Sequence, residues 1–137
     1  MCSSDLLNTA GVEAGATVLI MGAGGIGIAA IQGARIAGAS VILVSDPVAD
    51  RRETALTFGA THVIDPTAED LAATCQALTG GIGMDYVFET AGVAALIEHG
   101  IQVARTGGTI VCVGAPPFED GIEIPNVVTF AISGKRL

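Results

Sequence analysis

The chain has 137 residues, with 6 Lys and Arg against 14 Asp and Glu, so its formal charge is −8. A surface of that sign disfavours phosphate backbones and anionic headgroups, and neither nucleic acid nor a membrane is expected as a partner. Half the residues are hydrophobic but only 4% are aromatic, which leaves the apolar mass to Ala, Val, Ile and Gly and excludes a disordered chain. One domain is expected at this length. The three cysteines, Cys2, Cys75 and Cys112, are odd in number and widely spaced, which fits a reducing, cytoplasmic setting. With His62 and His99 they offer no metal-ligand spacing.

Residues 5–9 read as a short lead helix. Residues 14–34 carry no charge over 21 positions, long enough to suggest a membrane span. Six glycines break the stretch into an extended part, a turn and a helical part, and no basic segment precedes it, so burial within protein is expected instead. The extended part, 17–21, is a first strand, and 26–37 a helix closed by Gly38. Residues 40–45 form a second strand, apolar on both faces as a central parallel strand should be. A second helix follows, with Asp50 and Glu53 spaced as a capping box and Gly59 as its stop.

A short third strand is expected over 62–64, ended by Pro66. Thr67 and Asp70 then offer caps to a helix whose stripe is Leu71, Cys75 and Leu78. A fourth strand over 84–89 leads to a helix over 93–103. Gly107 and Gly108 turn the chain into a fifth strand over 109–113. Residues 122–124 read as a short extra strand and 127–132 as a helical turn or two. Strand alternating with helix throughout predicts an α/β fold: a doubly wound parallel sheet of Rossmann type in three α/β/α layers, order 3-2-1-4-5. A sixth strand would only be starting where the chain stops.

The informative residues are Gly22-Ala23-Gly24-Gly25-Ile26-Gly27. The pattern follows a strand, opens a helix, and is followed 19 positions after Gly27 by Asp46 at the end of the next strand, which together make a dinucleotide fingerprint. Gly22 permits the tight turn, Gly24 lets backbone approach a pyrophosphate, and Gly27 lets helix and sheet pack closely. Amides and the helix dipole around Gly25 and Ile26 can hold the anion without a lysine. The Asp46 carboxylate can accept from both hydroxyls of an adenosine ribose and repel a 2′-phosphate, so NAD is expected over NADP. Asp46 can equally cap the turn before Pro47. Arg51 can flank the ribose or belong, with Arg52, to a solvated face. Thr90, Ala91 and Gly92, with Val113, Gly114 and Ala115, fall at the carboxyl edge of the sheet, where such folds bind ligands. Cys75 and Cys112 read as packing residues. Residues 1–14 are then a lead-in segment and 15–137 the dinucleotide-binding domain.

Taken in order, these residues resemble the coenzyme-binding domain of zinc-dependent, medium-chain alcohol dehydrogenases. The resemblance rests on Asn8-Thr9-Ala10-Gly11-Val12, the glycine motif, Asp46 with Arg51, and Gly59-Ala60-Thr61-His62-Val63-Ile64. It continues through Asp85 to Gly92, Gly107-Gly108 and Val113-Gly114-Ala115-Pro116-Pro117. It implies pyrophosphate contacts from Gly22, Gly24, Gly25 and Ile26, and ribose contacts from Asp46 and Arg51. Thr90, Ala91, Val113 and Ala115 would line the nicotinamide side. It further implies hydride transfer from an alcohol to NAD, with zinc held by a catalytic domain that this chain lacks. Cys2 stands several residues too late for the family's last zinc cysteine, so no metal ligand is assigned. The chain alone is expected to bind NAD(H) without turnover. Ile122, Ile124, Val127, Val128 and Phe130 match a twofold interface, which implies a homo-oligomer. The alternatives are a free-standing NAD-sensing or assembly module and, remotely, a methyltransferase, whose acid before the glycines is here Met21.

Overall fold

The computed structural model describes residues 11–113 and 134–136. Five parallel strands form one sheet in the order β3-β2-β1-β4-β5. They are β1 (Thr17–Met21), β2 (Val41–Ser45), β3 (His62–Ile64), β4 (Met84–Glu89) and β5 (Ala104–Cys112). The crossovers are helices α1 (Gly25–Ala37), α2 (Ala49–Phe58), α3 (Leu71–Leu78) and α4 (Ala94–Val103). The expected doubly wound Rossmann-type sheet is therefore present.

Alternation along the strands builds two cores. Val18, Ile20, Ile42, Val44 and Phe88 point to the face covered by α1 and α2, through Ile31, Ala34 and Ala55. Leu19, Met21, Leu43 and Val87 point the other way, against Cys75 of α3 and Ile97 and Ile101 of α4. Because both faces of β1 and β2 are covered, these strands are apolar at nearly every position and gain burial free energy on both sides.

At the edge opposite the strands' carboxyl ends, Asp85 accepts from the Thr17 N–H at 2.9 Å and its hydroxyl at 3.2 Å, and from Arg105 Nε at 2.5 Å. Burial would raise the Asp85 carboxyl, but the hydrogen bonds from Thr17 and Arg105 outweigh it and hold the group below its ordinary range.

Several boundaries differ from the sequence reading. The Asp50 and Glu53 capping box is not formed: α2 starts two residues earlier than that box implies, with Val48 at the cap position and no side-chain cap, and Asp50 lies in the first turn. The Asp46 carboxylate instead takes the Val48 N–H at 2.8 Å, an Asx turn that launches the helix directly. Asp70 does cap α3, accepting from Ala73 N, whereas Thr67 bonds to Asp65.

The fifth strand begins at Ala104, not 109, because α4 runs straight into it. Gly107 and Gly108 lie inside the strand, in an irregularity where pairing steps from Met84↔Ala104 to Tyr86↔Thr109; Gly107 adopts φ 76° there. Cys112, read as a packing residue, is exposed at the end of β5, while Cys75 is buried. Arg136 forms a parallel bridge with Thr109, the position of a sixth strand at its first residue. The expectations for the lead helix, Cys2, and residues 114–133, among them Gly114, Ala115 and the apolar set from Ile122 to Phe130, lie outside the described residues.

Candidate functional site

The order of strands reverses at β1, whose neighbours are β2 and β4, so the crevice beyond its carboxyl end is where an open α/β sheet binds ligands. The chain leaves β1 through Gly22, which adopts φ 107°, a left-handed conformation natural to glycine. A Cβ there would also lie 2.7 Å from Thr90 Oγ1.

Gly27 is required for closeness. A Cβ on it would stand 1.9 Å from the Gly22 carbonyl oxygen, so α1 can cross this near the turn only without a side chain. Gly24 and Gly25 differ in kind: a Cβ on either meets nothing within 4 Å among the described residues. Their small size serves no internal contact and leaves open space at the start of α1. No side chain caps that helix, and its first turn holds no acidic residue. The amides of Gly25, Ile26 and Gly27, which have no acceptor within the helix, remain available to an anion at its positive end. Ile26 itself is exposed.

Asp46 sits just past β2 and is 2% exposed. One carboxylate oxygen accepts from the Ala23 N–H at 2.9 Å and the other from the Val48 N–H at 2.8 Å. The capping role and a place beside the glycine turn are thus both realised. Arg51 approaches at the outer limit of an ion pair, with Nη1 3.9 Å from Asp46 Oδ2 and a side chain 57% exposed. Such a contact adds little stability and leaves the guanidinium free to meet a ligand.

Across the crevice, Thr90 continues β4. Its N–H donates to the Met21 carbonyl, and its hydroxyl lies 3.0 Å from the carbonyl oxygens of both Met21 and Gly22. Val113 reaches the same edge by donating its N–H to the Glu89 carbonyl at 2.9 Å. The structure therefore gathers Gly22, Gly24, Gly25, Ile26, Gly27, Asp46, Arg51, Thr90, Ala91 and Val113 along one edge of the sheet.

Two contributors were missed in the sequence. Glu89 is fully buried, and its carboxylate accepts from the N–H groups of Ala91 at 2.7 Å and Gly92 at 2.9 Å. This internal anion occupies the turn ahead of α4, so the start of α1 is the glycine-lined one left open. Its signal was an acid closing an apolar strand, as Asp46 does after β2. Arg52 is the other, and no pattern separates it from Arg51. Burial pushes the Cys75 thiol up to about 11, and burial followed by the Glu89 charge raises that of Cys112.

Comparison with known proteins finds relatives of the same fold. The family model described as zinc-binding dehydrogenase matches residues 25–135. Geraniol dehydrogenase of Castellaniella defragrans is 41% identical over 111 residues, which is 80% of this chain and 30% of that protein. An alcohol dehydrogenase zinc-binding domain protein from Burkholderia ambifaria superposes with a TM-score of 0.92 at 34% identity, covering 98% of this chain and 36% of that one. A protein from Sinorhizobium meliloti 1021, solved bound to NADP, gives 0.89 at 34% identity, covering 98% and 40%. The chain thus spans less than half the length of each.

Proposed function

The chain belongs to the zinc-binding dehydrogenase family, and from that premise we propose that it is the domain that holds a nicotinamide coenzyme, preferring NAD(H), within an alcohol dehydrogenase. The observation that carries this reading is the start of α1, where two glycines clear space that none of the described residues fills beside uncapped helix amides. A pyrophosphate fits that cradle by charge and by size.

Asp46 selects the adenosine ribose in this reading. Its buried carboxylate lies beside the glycine turn, where it can accept from ribose hydroxyls and would oppose a 2′-phosphate. Arg51 lies over the same subsite from the open side. In the same reading Thr90, Ala91 and Val113 line the nicotinamide side. The NADP bound to the Sinorhizobium protein makes the choice between the two coenzymes the point to measure.

The bound coenzyme supplies the hydride acceptor for alcohol oxidation. The family also implies zinc. Among the described residues no three His, Cys, Asp or Glu side chains are grouped to hold a metal ion, so these residues do not fit a catalytic zinc. In this proposal the 137-residue chain by itself binds NAD(H) without turnover of alcohol, with residues 15–137 as the dinucleotide-binding domain. Among the described residues no helix is long and apolar enough to cross a membrane.

Titration of NADH fluorescence with the purified chain tests the proposal. Saturable binding, weaker for NADPH, is expected. No saturable change at millimolar NADH, or equal affinity for NADPH, would overturn it. If partner capture depended on whether NADH was present, the alternative of a sensing or assembly module would be favoured.

A further inference from the structure

Adjacent arginines on α2 serve different ends. Arg51 is 57% exposed and faces the Asp46 carboxylate from solvent. Arg52 is 20% exposed and turns beneath the loop, where Nη1 donates to the Asp46 main-chain carbonyl at 2.8 Å. The same nitrogen lies 3.7 Å from Asp65 Oδ2. Asp65 follows β3 and is itself fixed: Oδ1 accepts from the Thr67 N–H at 3.0 Å and the Thr67 hydroxyl at 2.6 Å. A continuous chain of contacts therefore runs from Thr67 through Asp65, Arg52 and Asp46 to Ala23 of the glycine turn. It ties the ends of β3, β2 and β1 together beyond their last ladder bonds.

We propose that Arg52 is a positioning residue for coenzyme selection: it holds Asp46 where the carboxylate can discriminate a ribose diol from a 2′-phosphate, while Arg51 is left to meet the ligand. The inference rests on the reading of Asp46 as the ribose-binding acid. A chain with only 6 Lys and Arg residues to draw on places two of them on one carboxylate loop, and the better buried of the two points at its backbone. A planar guanidinium can serve the Asp46 carbonyl and Asp65 together, which a lysine ammonium on a flexible stem does poorly.

A simple charge effect and a positioning effect differ in sign at Asp65. Asp65→Asn removes a negative charge, so electrostatics alone would tighten binding of an anionic coenzyme. It also releases the guanidinium, so positioning predicts weaker binding. In the full chain, both Asp65→Asn and Arg52→Lys are expected to weaken NADH by about three- to tenfold, the range of one ordinary net hydrogen bond. The NADH to NADPH affinity ratio should narrow by a similar factor, while the melting midpoint stays within about 4 °C.

In an Asp46→Ala background, Arg52→Lys should cost nothing further, since the residue it positions is gone. Unchanged or tighter NADH binding in Asp65→Asn, or full additivity in the double variant, would overturn the inference while leaving coenzyme binding intact. Failure of the unmodified chain to bind either coenzyme would instead overturn the parent reading, and this one with it.

Discussion

The carboxylate of Asp46 accepts a hydrogen bond from the Ala23 N–H at 2.9 Å, across 23 residues of sequence. The acid that ends β2 and the turn that ends β1 are therefore a single unit, and the ribose and pyrophosphate subsites proposed above share one side chain. In that proposal this contact couples discrimination to anion binding.

Asp46→Ala should lower stability and selectivity together. Two buried or half-buried amides, of Ala23 and Val48, lose their acceptor, a loss of about 1–3 kcal/mol. NADH affinity should fall more than NADPH affinity. Denaturant melts and parallel fluorescence titrations check the two effects, and an unchanged coenzyme preference would remove the assigned role.

The glycines of the motif should separate by what their Cβ would meet. Gly27→Ala places a carbon 1.9 Å from the Gly22 carbonyl oxygen, so backbone must shift, with an expected loss of at least about 2 kcal/mol. Gly25→Ala meets nothing and should keep or raise stability by up to about 1 kcal/mol, since alanine favours a helix. If the open space belongs to a pyrophosphate, NADH affinity nevertheless falls in Gly25→Ala. Wild-type affinity in that variant would show that the space is not used.

Acid should weaken the sheet through Asp85. Despite the desolvation that opposes it, hydrogen bonds from Thr17 and Arg105 hold this carboxyl below its ordinary range. A depressed value in the folded state means that the contribution is complete above the unfolded value, about 4, and is lost as pH falls through the lower folded one. Asp85→Asn should therefore be less stable than wild type at pH 7, with the difference shrinking below about pH 4. Melting midpoints measured from neutral to acid pH give the comparison.

Cys75 should produce the opposite slope in alkali. Its thiol is pushed up to about 11 by burial, so the folded state favours the neutral form. The stabilisation is complete below the unfolded value, about 8.5, and declines as pH rises toward 11. The fall in melting midpoint between neutral and alkaline pH should be smaller in Cys75→Ala than in wild type. In native protein a thiol reagent should modify Cys112, which is exposed, well before Cys75.

How far residues alone foretold this arrangement depended on the range of the interactions. β1, β3 and β4 start and stop where hydrophobic runs meet glycine, proline or an acid, and Asp70 caps α3 through a neighbour three residues on. Those signals are local, so they survive in the sequence. The cap on α2 was misplaced because Asp50 and Glu53 satisfy a pattern, whereas the residue that launches the helix, Asp46, is fixed in place by Ala23 in the turn after β1. The start of β5 was missed because Ala104 extends only by pairing with Met84, with Gly107 bulging out between the two registers. Nothing in its own neighbourhood marks it as strand.

By itself the sequence determined the order of strands and helices, the sheet they build and the glycine turn that joins β1 to α1, because these follow from hydrophobic period, glycine's conformational freedom and chain handedness. The tertiary structure decided which groups act through others. That Asp46 is bound to Ala23, that Arg52 lies under the loop while Arg51 stays over it, and that Glu89 fills the turn before α4 all arise where separate strand ends converge. Such contacts depend on three-dimensional distance between residues far apart in the chain, which periodicity and spacing do not encode.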